Sequence, residues 1–307
     1  MNILISTTSN WNPGDDFIRY GVEYLLSKKY GDNINYIHYN RNPDYFKLDV
    51  WEMGSNHKSN NMNGPIDMSL IDMVVLAGSP EWLHGPLKPL YEALKNHPNV
   101  PLVAIGVGYS FPMDQIHPLT DIERDVLYRP NTTIITRQYD LAEHIQKYIF
   151  HQNKIYTLPC PGVFSSNRVK SKKRTELYAS IIQAPHGPQA ISQADYNDTM
   201  KYIKDYPQFD NLISHYIEDF KHFKRGYFSS DAQQLANEIC KYRILLTNRL
   251  HGGLMALGND AEVKFINTDN RVIKALEPFS PYLKMGWYSM NSDQLKELEQ
   301  KYLQLLS

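Results

Sequence analysis

Arg243-Ile244-Leu245-Leu246-Thr247-Asn248-Arg249-Leu250-His251-Gly252-Gly253-Leu254-Met255-Ala256-Leu257-Gly258 decides the fold. Ile244–Thr247 is an apolar run of strand length without polar alternation. It stops at Asn248-Arg249, and a short helix of small and apolar residues follows over Gly252–Leu257. A strand buried on both faces that leads straight into a helix is half of a parallel βαβ unit.

Working outward, the same alternation fills the chain. Toward the C-terminus, Val263–Ile266 reads as a strand and Asn270–Leu276 as a helix. Toward the N-terminus lie the helix Asp231–Tyr242, capped by Ser229 and Ser230, the strand Leu212–His215, the helix Gln193–Asp205 and the strand Leu177–Gln183. The first half repeats the pattern. Its strands are Asn2–Thr7, Ile34–Tyr39, Ile71–Ala77, Leu102–Val107, Thr132–Thr136 and Ile155–Leu158; its helices are Asp16–Lys29, Pro86–His97, Asp121–Tyr128 and Tyr139–Phe150. Asn40–Asp67 is polar, rich in Asn, and reads as a long loop. Ser165–Thr175, with Lys170, Lys172, Lys173 and Arg174, reads as a solvated basic linker. The expected class is α/β: two Rossmann-like lobes with an interlobe cleft, where strand ends meet and small molecules bind. One lobe covers residues 1–164, joined by an amphipathic C-terminal helix at 291–307; the other covers 176–285.

Composition narrows the function. The chain has 307 residues, 42% of them hydrophobic, which is enough for a packed core and excludes a disordered chain. Thirty-two basic residues against 33 acidic ones leave a net charge of −1, so there is no global attraction to nucleic acid. Cys160 and Cys240 form neither a disulfide framework nor a metal motif, and no metal is expected. The N-terminus reads as a strand, not a secretion signal, and no run reaches membrane-spanning length. The expectation is a cytoplasmic protein, with room for peripheral association with membrane glycan-assembly machinery. The 22 Tyr and 4 Trp suit sugar surfaces as well as ordinary half-buried positions.

The residues at strand ends carry the chemistry. After the first strand, Asn12-Pro13-Gly14-Asp15-Asp16 allows a tight turn at Gly14 and places Asp15 where it can accept hydrogen bonds from hydroxyls; an aspartate there also caps a helix. Ala77-Gly78-Ser79-Pro80 and Ile105-Gly106-Val107-Gly108 end two more strands, and the second lacks the rest of a dinucleotide fingerprint. Trp82 and His84 follow as cleft or loop residues. Arg137 ends an apolar strand, as a surface ion-pair partner or as a clamp for carboxylate or phosphate. Arg249 adds a second guanidinium, and His251 a group that titrates near neutrality. The start of the following helix, with Gly252 and Gly253, offers amides to an anion. Cation, acid and helix start within a few residues suit an enzyme of anionic substrates.

Arg249-Leu250-His251-Gly252 resembles the signature of the polysaccharide pyruvyl transferase family. Asn12–Ile18 looks like its N-terminal Gly-Asp loop, and the two glycine strand ends, Thr136-Arg137 and Cys160-Pro161-Gly162 are similar to its further segments in order. Gln138 departs from the pattern, since the family often has Asp there. The resemblance implies a GT-B-like fold with no cofactor, phosphoenolpyruvate as donor and a sugar or glycan as acceptor. The product is a pyruvate ketal on two hydroxyls of one sugar. It also implies roles for the donor-side residues. Arg137 and Arg249, helped by the helix start at Gly252, bind the anions. His251, as imidazolium, protonates the methylene carbon. Asp15 orients or deprotonates the acceptor, near Gly14, Gly78 and Ser79. The first lobe is then the acceptor side and the second the donor side. Two other readings stay open: a nucleotide-sugar glycosyltransferase of the same fold, with Glu277-Pro278 near the ribose, and a non-catalytic carbohydrate-binding relative.

Overall fold

Two open sheets, each wrapped by helices, face one another across a shared apolar layer. The computed structural model describes residues 1–7, 12–40, 67–78, 87–109, 119–148, 154–168, 174–185, 191–223 and 225–306. Ser79, Trp82, His84 and most of the Asn40–Asp67 segment lie outside them.

In the first lobe, β1 (Asn2–Thr7), α1 (Pro13–Tyr30), β2 (Asn35–Asn40), β3 (Met73–Ala77), α2 (Lys88–Asn96), β4 (Leu102–Val107), α3 (Asp121–Leu127), β5 (Thr132–Thr136), α4 (Tyr139–Tyr148) and β6 (Lys154–Thr157) follow in order. The strands lie as β2-β1-β3-β4-β5-β6 and pair in parallel throughout. The second lobe contains β7 (Glu176–Ile181), α5 (Gln193–Asp205), β8 (Asn211–Ser214), β9 (Arg225–Phe228), α6 (Ala232–Ile239), β10 (Tyr242–Thr247), α7 (Leu250–Gly258), β11 (Glu262–Phe265), α8 (Asn270–Leu276), and the hairpin β12 (Leu283–Lys284) and β13 (Trp287–Tyr288). Its order is β12-β13-β11-β10-β7-β8-β9, parallel except for the hairpin. The last helix, α9 (Ser292–Leu305), returns to the first lobe: Tyr24 Oη donates to Glu299 Oε2 at 2.5 Å, Lys29 Nζ to the Leu303 carbonyl at 3.0 Å, and Tyr302 Oη to the Pro159 carbonyl at 2.6 Å.

Strand order reverses at β1 in the first sheet and at β7 in the second. Crevices at such reversals are where open α/β sheets take ligands. The outer face of each sheet has its own cluster, Leu90, Leu94, Val126 and Leu141 in one and Tyr196, Ile203, Phe209 and Leu212 in the other. The inner faces share one. Ile3, Ile5, Val75 and Ile105 of the first sheet pack with Phe17, Ile18 and Val22 of α1. The same cluster continues through Val163 and Phe164 into Ala179, Ile181, Leu245 and α7 of the second.

Between the lobes runs the 3-10 turn Pro161–Arg168. The linker expected at Ser165–Thr175 is thereby corrected at its start. Ser165 and Ser166 are fully buried, donating to the Gly162 carbonyl at 2.6 Å and to the Gly258 carbonyl at 2.7 Å. Two glycines permit this packing. A Cβ on Gly21 of α1 would lie 1.9 Å from the Pro161 carbonyl oxygen, and one on Gly258 of α7 would lie 1.6 Å from that of Val163.

Helix starts differ from expectation by a residue or so. α1 is capped by Asn12, whose Oδ1 accepts from the Gly14 amide at 3.0 Å, so that Asp15 and Asp16 fall in its first turn instead of capping it. α6 is capped by Asp231, not by Ser229 or Ser230; Ser229 Oγ accepts from the Asp231 amide.

Candidate active site

The site begins with the backbone that aims Arg137. Its amide donates to the Val107 carbonyl at 2.8 Å, which fixes the residue just past β5 against the end of β4. β4 shifts register between Ile105 and Val107, at Gly106, whose φ is +70°. A Cβ on Gly108 would sit 2.3 Å from Arg137 Nε. Gly108 thus lets the guanidinium approach the backbone closely, while Gly106 makes room for Pro161, whose Cδ would lie 2.8 Å from a Cβ there.

Arg137 is 8% exposed, and no carboxylate pairs with it among the described residues. Its Nε is buried without a hydrogen-bond partner. Its Nη1 approaches Cys160 Sγ at 3.9 Å and donates to His251 Nε2 at 2.7 Å across the lobe boundary. Arginine has no acceptor atom, so Nε2 carries the lone pair and the imidazole proton sits on Nδ1. Burial, with the Arg137 charge adding to it, holds the imidazole well below its ordinary range. With the guanidinium on its Nε2, the ring is held toward its neutral form in this arrangement.

Gly14 closes the other side of the ring. A Cβ there would lie 2.7 Å from His251 Nδ1, and one on Gly162 would lie 3.8 Å from Cδ2. The first turn of α1 thus meets α7 directly, and half-buried Asp15 stands beside Gly14 in that turn. Gly78, with φ +87°, ends β3 and donates its amide to the Ile105 carbonyl.

Arg249 occupies a second environment. It precedes α7 as cap residue without a side-chain cap bond. Its amide donates to Thr247 Oγ1 at 2.9 Å, and Asn248 Oδ1 ties the turn to Gln183 by accepting from its amide at 2.8 Å. The side chain is 14% exposed and lies 3.6 Å from fully buried Asp219. Nη1 donates to His215 Nδ1 at 3.0 Å, and the guanidinium covers the Tyr216 ring at 5.0 Å. Burial lowers its pKa, with Asp219 opposing the shift. Nε is buried without a hydrogen-bond partner. His215, Tyr216 and Asp219 escaped sequence reasoning. Their signal was their place immediately after the strand ending at Ser214.

Gly252 and Gly253 have a packing role beside any amide they offer. A Cβ on Gly252 would meet Ile181 at 3.1 Å, and one on Gly253 would meet Phe265 at 2.4 Å, so both let α7 sit tightly on its sheet. Gln138 is fully buried. Its Oε1 accepts from the Tyr109 amide at 2.9 Å, and its Nε2 donates to the Arg271 carbonyl at 3.3 Å. Glu277, considered for a ribose, is paired with Lys274 at 2.7 Å. Among the described residues, no three His, Cys, Asp or Glu side chains gather to hold a metal ion, and no helix is long and apolar enough to cross a membrane.

The arrangement offers two buried guanidinium groups, a histidine two positions after the second and in contact with the first, and a glycine-lined approach. The family model for polysaccharide pyruvyl transferase matches residues 12–270, which span every one of these groups. The chain belongs to the polysaccharide pyruvyl transferase family. Membership places it among transferases of polysaccharide biosynthesis. The fold is the GT-B type, two Rossmann-like lobes. A UDP-GlcNAc 2-epimerase from Neisseria meningitidis, solved with UDP-GlcNAc, superposes with a TM-score of 0.53 at 11% identity, over 99% of this chain and 94% of that one. A UDP-GlcNAc 2-epimerase from Methanocaldococcus jannaschii, in complex with UDP-GlcNAc and UDP, gives 0.50 at 11% identity, over 99% and 98%. At such identities the likeness is one of fold. No curated protein sequence matches the chain significantly.

Proposed function

We propose that this family member moves the enolpyruvyl group of phosphoenolpyruvate onto two hydroxyls of one sugar in a surface glycan or its precursor, forming a pyruvate ketal. The observation that carries the reading is Arg137: a buried cation without a paired carboxylate among the described residues, in contact with the one histidine of the signature. An uncompensated buried charge is costly, and an anionic ligand is what relieves it. Phosphoenolpyruvate brings two anionic groups, a carboxylate and a phosphate, for Arg137 and Arg249.

The donor also changes His251. An anion on Arg137 draws the guanidinium off Nε2, and its negative charge favours the imidazolium. His251 then gives its proton to the methylene carbon, and C2 becomes electron-poor. A first sugar hydroxyl adds to C2 and loses its proton, with Asp15 placed to take it. The C2–O bond to phosphate breaks and phosphate departs with that electron pair. The second hydroxyl adds to C2 and loses its proton, closing the ketal. One proton has entered the new methyl group and two have left the hydroxyls, so one is released to phosphate or solvent. A donor of central metabolism places the reaction in the cytoplasm, with peripheral contact to membrane glycan-assembly machinery where the acceptor is lipid-linked.

Calorimetric titration tests the donor. Saturable phosphoenolpyruvate binding to the wild type, abolished in Arg249→Ala, is expected. No binding of phosphoenolpyruvate, with a nucleotide sugar bound instead, would move the protein to a glycosyltransferase reading. Silence from both, with binding of a glycan, would leave a carbohydrate-binding relative.

A further inference from the structure

We propose that Gln138 is a positioning residue: it pins the two lobes together on the side of the cleft away from the shared core, and so keeps Arg137 against His251. The pin deepens the donor-site reading above and rests on it for its catalytic consequence only.

The two sides of the lobe boundary are built differently. On one side α1 and α7 grip the Pro161–Arg168 turn through backbone-to-backbone contact at Gly21 and Gly258, inside a continuous apolar cluster. Such packing has no slack, and it acts as a hinge at most. On the other side α4 of the first lobe faces α8 of the second. Lys274 on α8 feels Asp140 and Glu143 on α4, and Tyr109 Oη donates to Asp140 Oδ2 at 3.0 Å. Gln138, a fully buried side chain, passes through this seam. One end of its amide holds the chain after β4, and the other holds the α8 backbone. A buried amide with both ends satisfied specifies geometry strongly, because any parting of the lobes leaves it unpaired.

Gln138 directly follows Arg137, and the peptide it holds at Tyr109 directly follows Gly108, on which the guanidinium lies. A fixed seam therefore fixes Arg137, while His251 arrives from the other lobe.

The test reads the pair without any substrate. Among the described residues, the charged and titratable groups on the segments packed against His251 are Arg137 after β5, Cys160 beside it, Arg249 before α7, and Asp15 and Asp16 in the first turn of α1. Histidine NMR titrations are recorded for the wild type and for Gln138→Glu, which keeps the acceptor for Tyr109 and loses the donor to Arg271, with His251→Gln assigning the resonance. Wild-type His251 stays neutral where exposed histidines titrate. In Gln138→Glu its titration should move up toward the ordinary value of about 6.5 as Arg137 and burial are withdrawn. Lys274→Glu sets a third acid against Asp140 and Glu143, leaves the buried amide untouched, and should move His251 in the same direction by less. It also serves should Gln138→Glu not fold. An unchanged His251 titration in the folded variants would overturn the pin. Phosphoenolpyruvate affinity is measured alongside, with a loss of about tenfold expected in Gln138→Glu. A His251 shift in a protein that binds no phosphoenolpyruvate would keep the pin and reject the donor.

Discussion

His251 accepts a hydrogen bond from Arg137, which in the proposed reaction must let it go before the imidazole acts as an acid. The first consequence is kinetic. His251→Ala should lower turnover by roughly 10²–10⁴-fold while the protein stays folded, the usual contribution of a positioned acid. Near wild-type turnover would remove His251 from the reaction. The second is a linkage. The free imidazole is held low; on the proposed mechanism the donor complex raises it, so that the complex should carry more protons than the free protein. Phosphoenolpyruvate binding should take up a proton and weaken as pH rises above the free His251 value. Calorimetry in two buffers of different ionisation enthalpy measures this, and uptake should vanish in His251→Gln. Folding shows the opposite sign: the unfolded chain binds the proton first, so this residue's contribution to stability is lost as pH falls below about 6.5 toward the depressed folded value. Denaturation of the wild type and His251→Gln across that window tests it.

At the scale of elements, strands were read more easily than the turns between them. Continuous apolar runs such as Leu102–Val107 and Thr132–Thr136 announce buried parallel strands, and the structure places both there. β9 was not legible, because Arg225-Gly226-Tyr227-Phe228 has neither alternation nor an apolar run. The β12–β13 hairpin has two residues per strand, too few to show a period. The turn after Pro161 was hidden by its neighbours: the basic residues that follow suggested solvent, while Ser165 is buried on the Gly162 carbonyl of its own turn and Ser166 on the Gly258 carbonyl, 92 positions away. Within the site, each strand-end residue could be noticed alone, but the meeting of Arg137 with His251 spans 114 positions and depends on how the lobes dock. Glycine substitutions expose this docking. Gly258→Ala should cost about 3 kcal/mol, since its Cβ would overlap the Val163 carbonyl of the turn between the lobes. Gly31→Ala has open space around its Cβ and should cost about 1 kcal/mol, for its positive φ alone. Urea midpoints compare the two; equal losses would mean that α7 yields at the turn.

At the scale of the molecule, the C-terminal helix closes the first lobe from outside. Tyr302 is fully buried, stacks edge-on against Phe164 and donates to the Pro159 carbonyl one residue before Cys160-Pro161. Tyr302→Phe keeps the ring and strands that carbonyl, at a cost of about 1–3 kcal/mol. The melting temperature should fall by several degrees with one cooperative transition retained; an unchanged melting temperature would show the bond to be replaced by water. The apolar layer common to both sheets carries the last consequence, and it concerns inheritance. A lobe grafted from a relative would bring half of an interlocked surface and meet the wrong other half. In this chain a lobe is not a free-standing module, and its chemistry is changed with least disturbance by point substitutions in the segments that leave the strands.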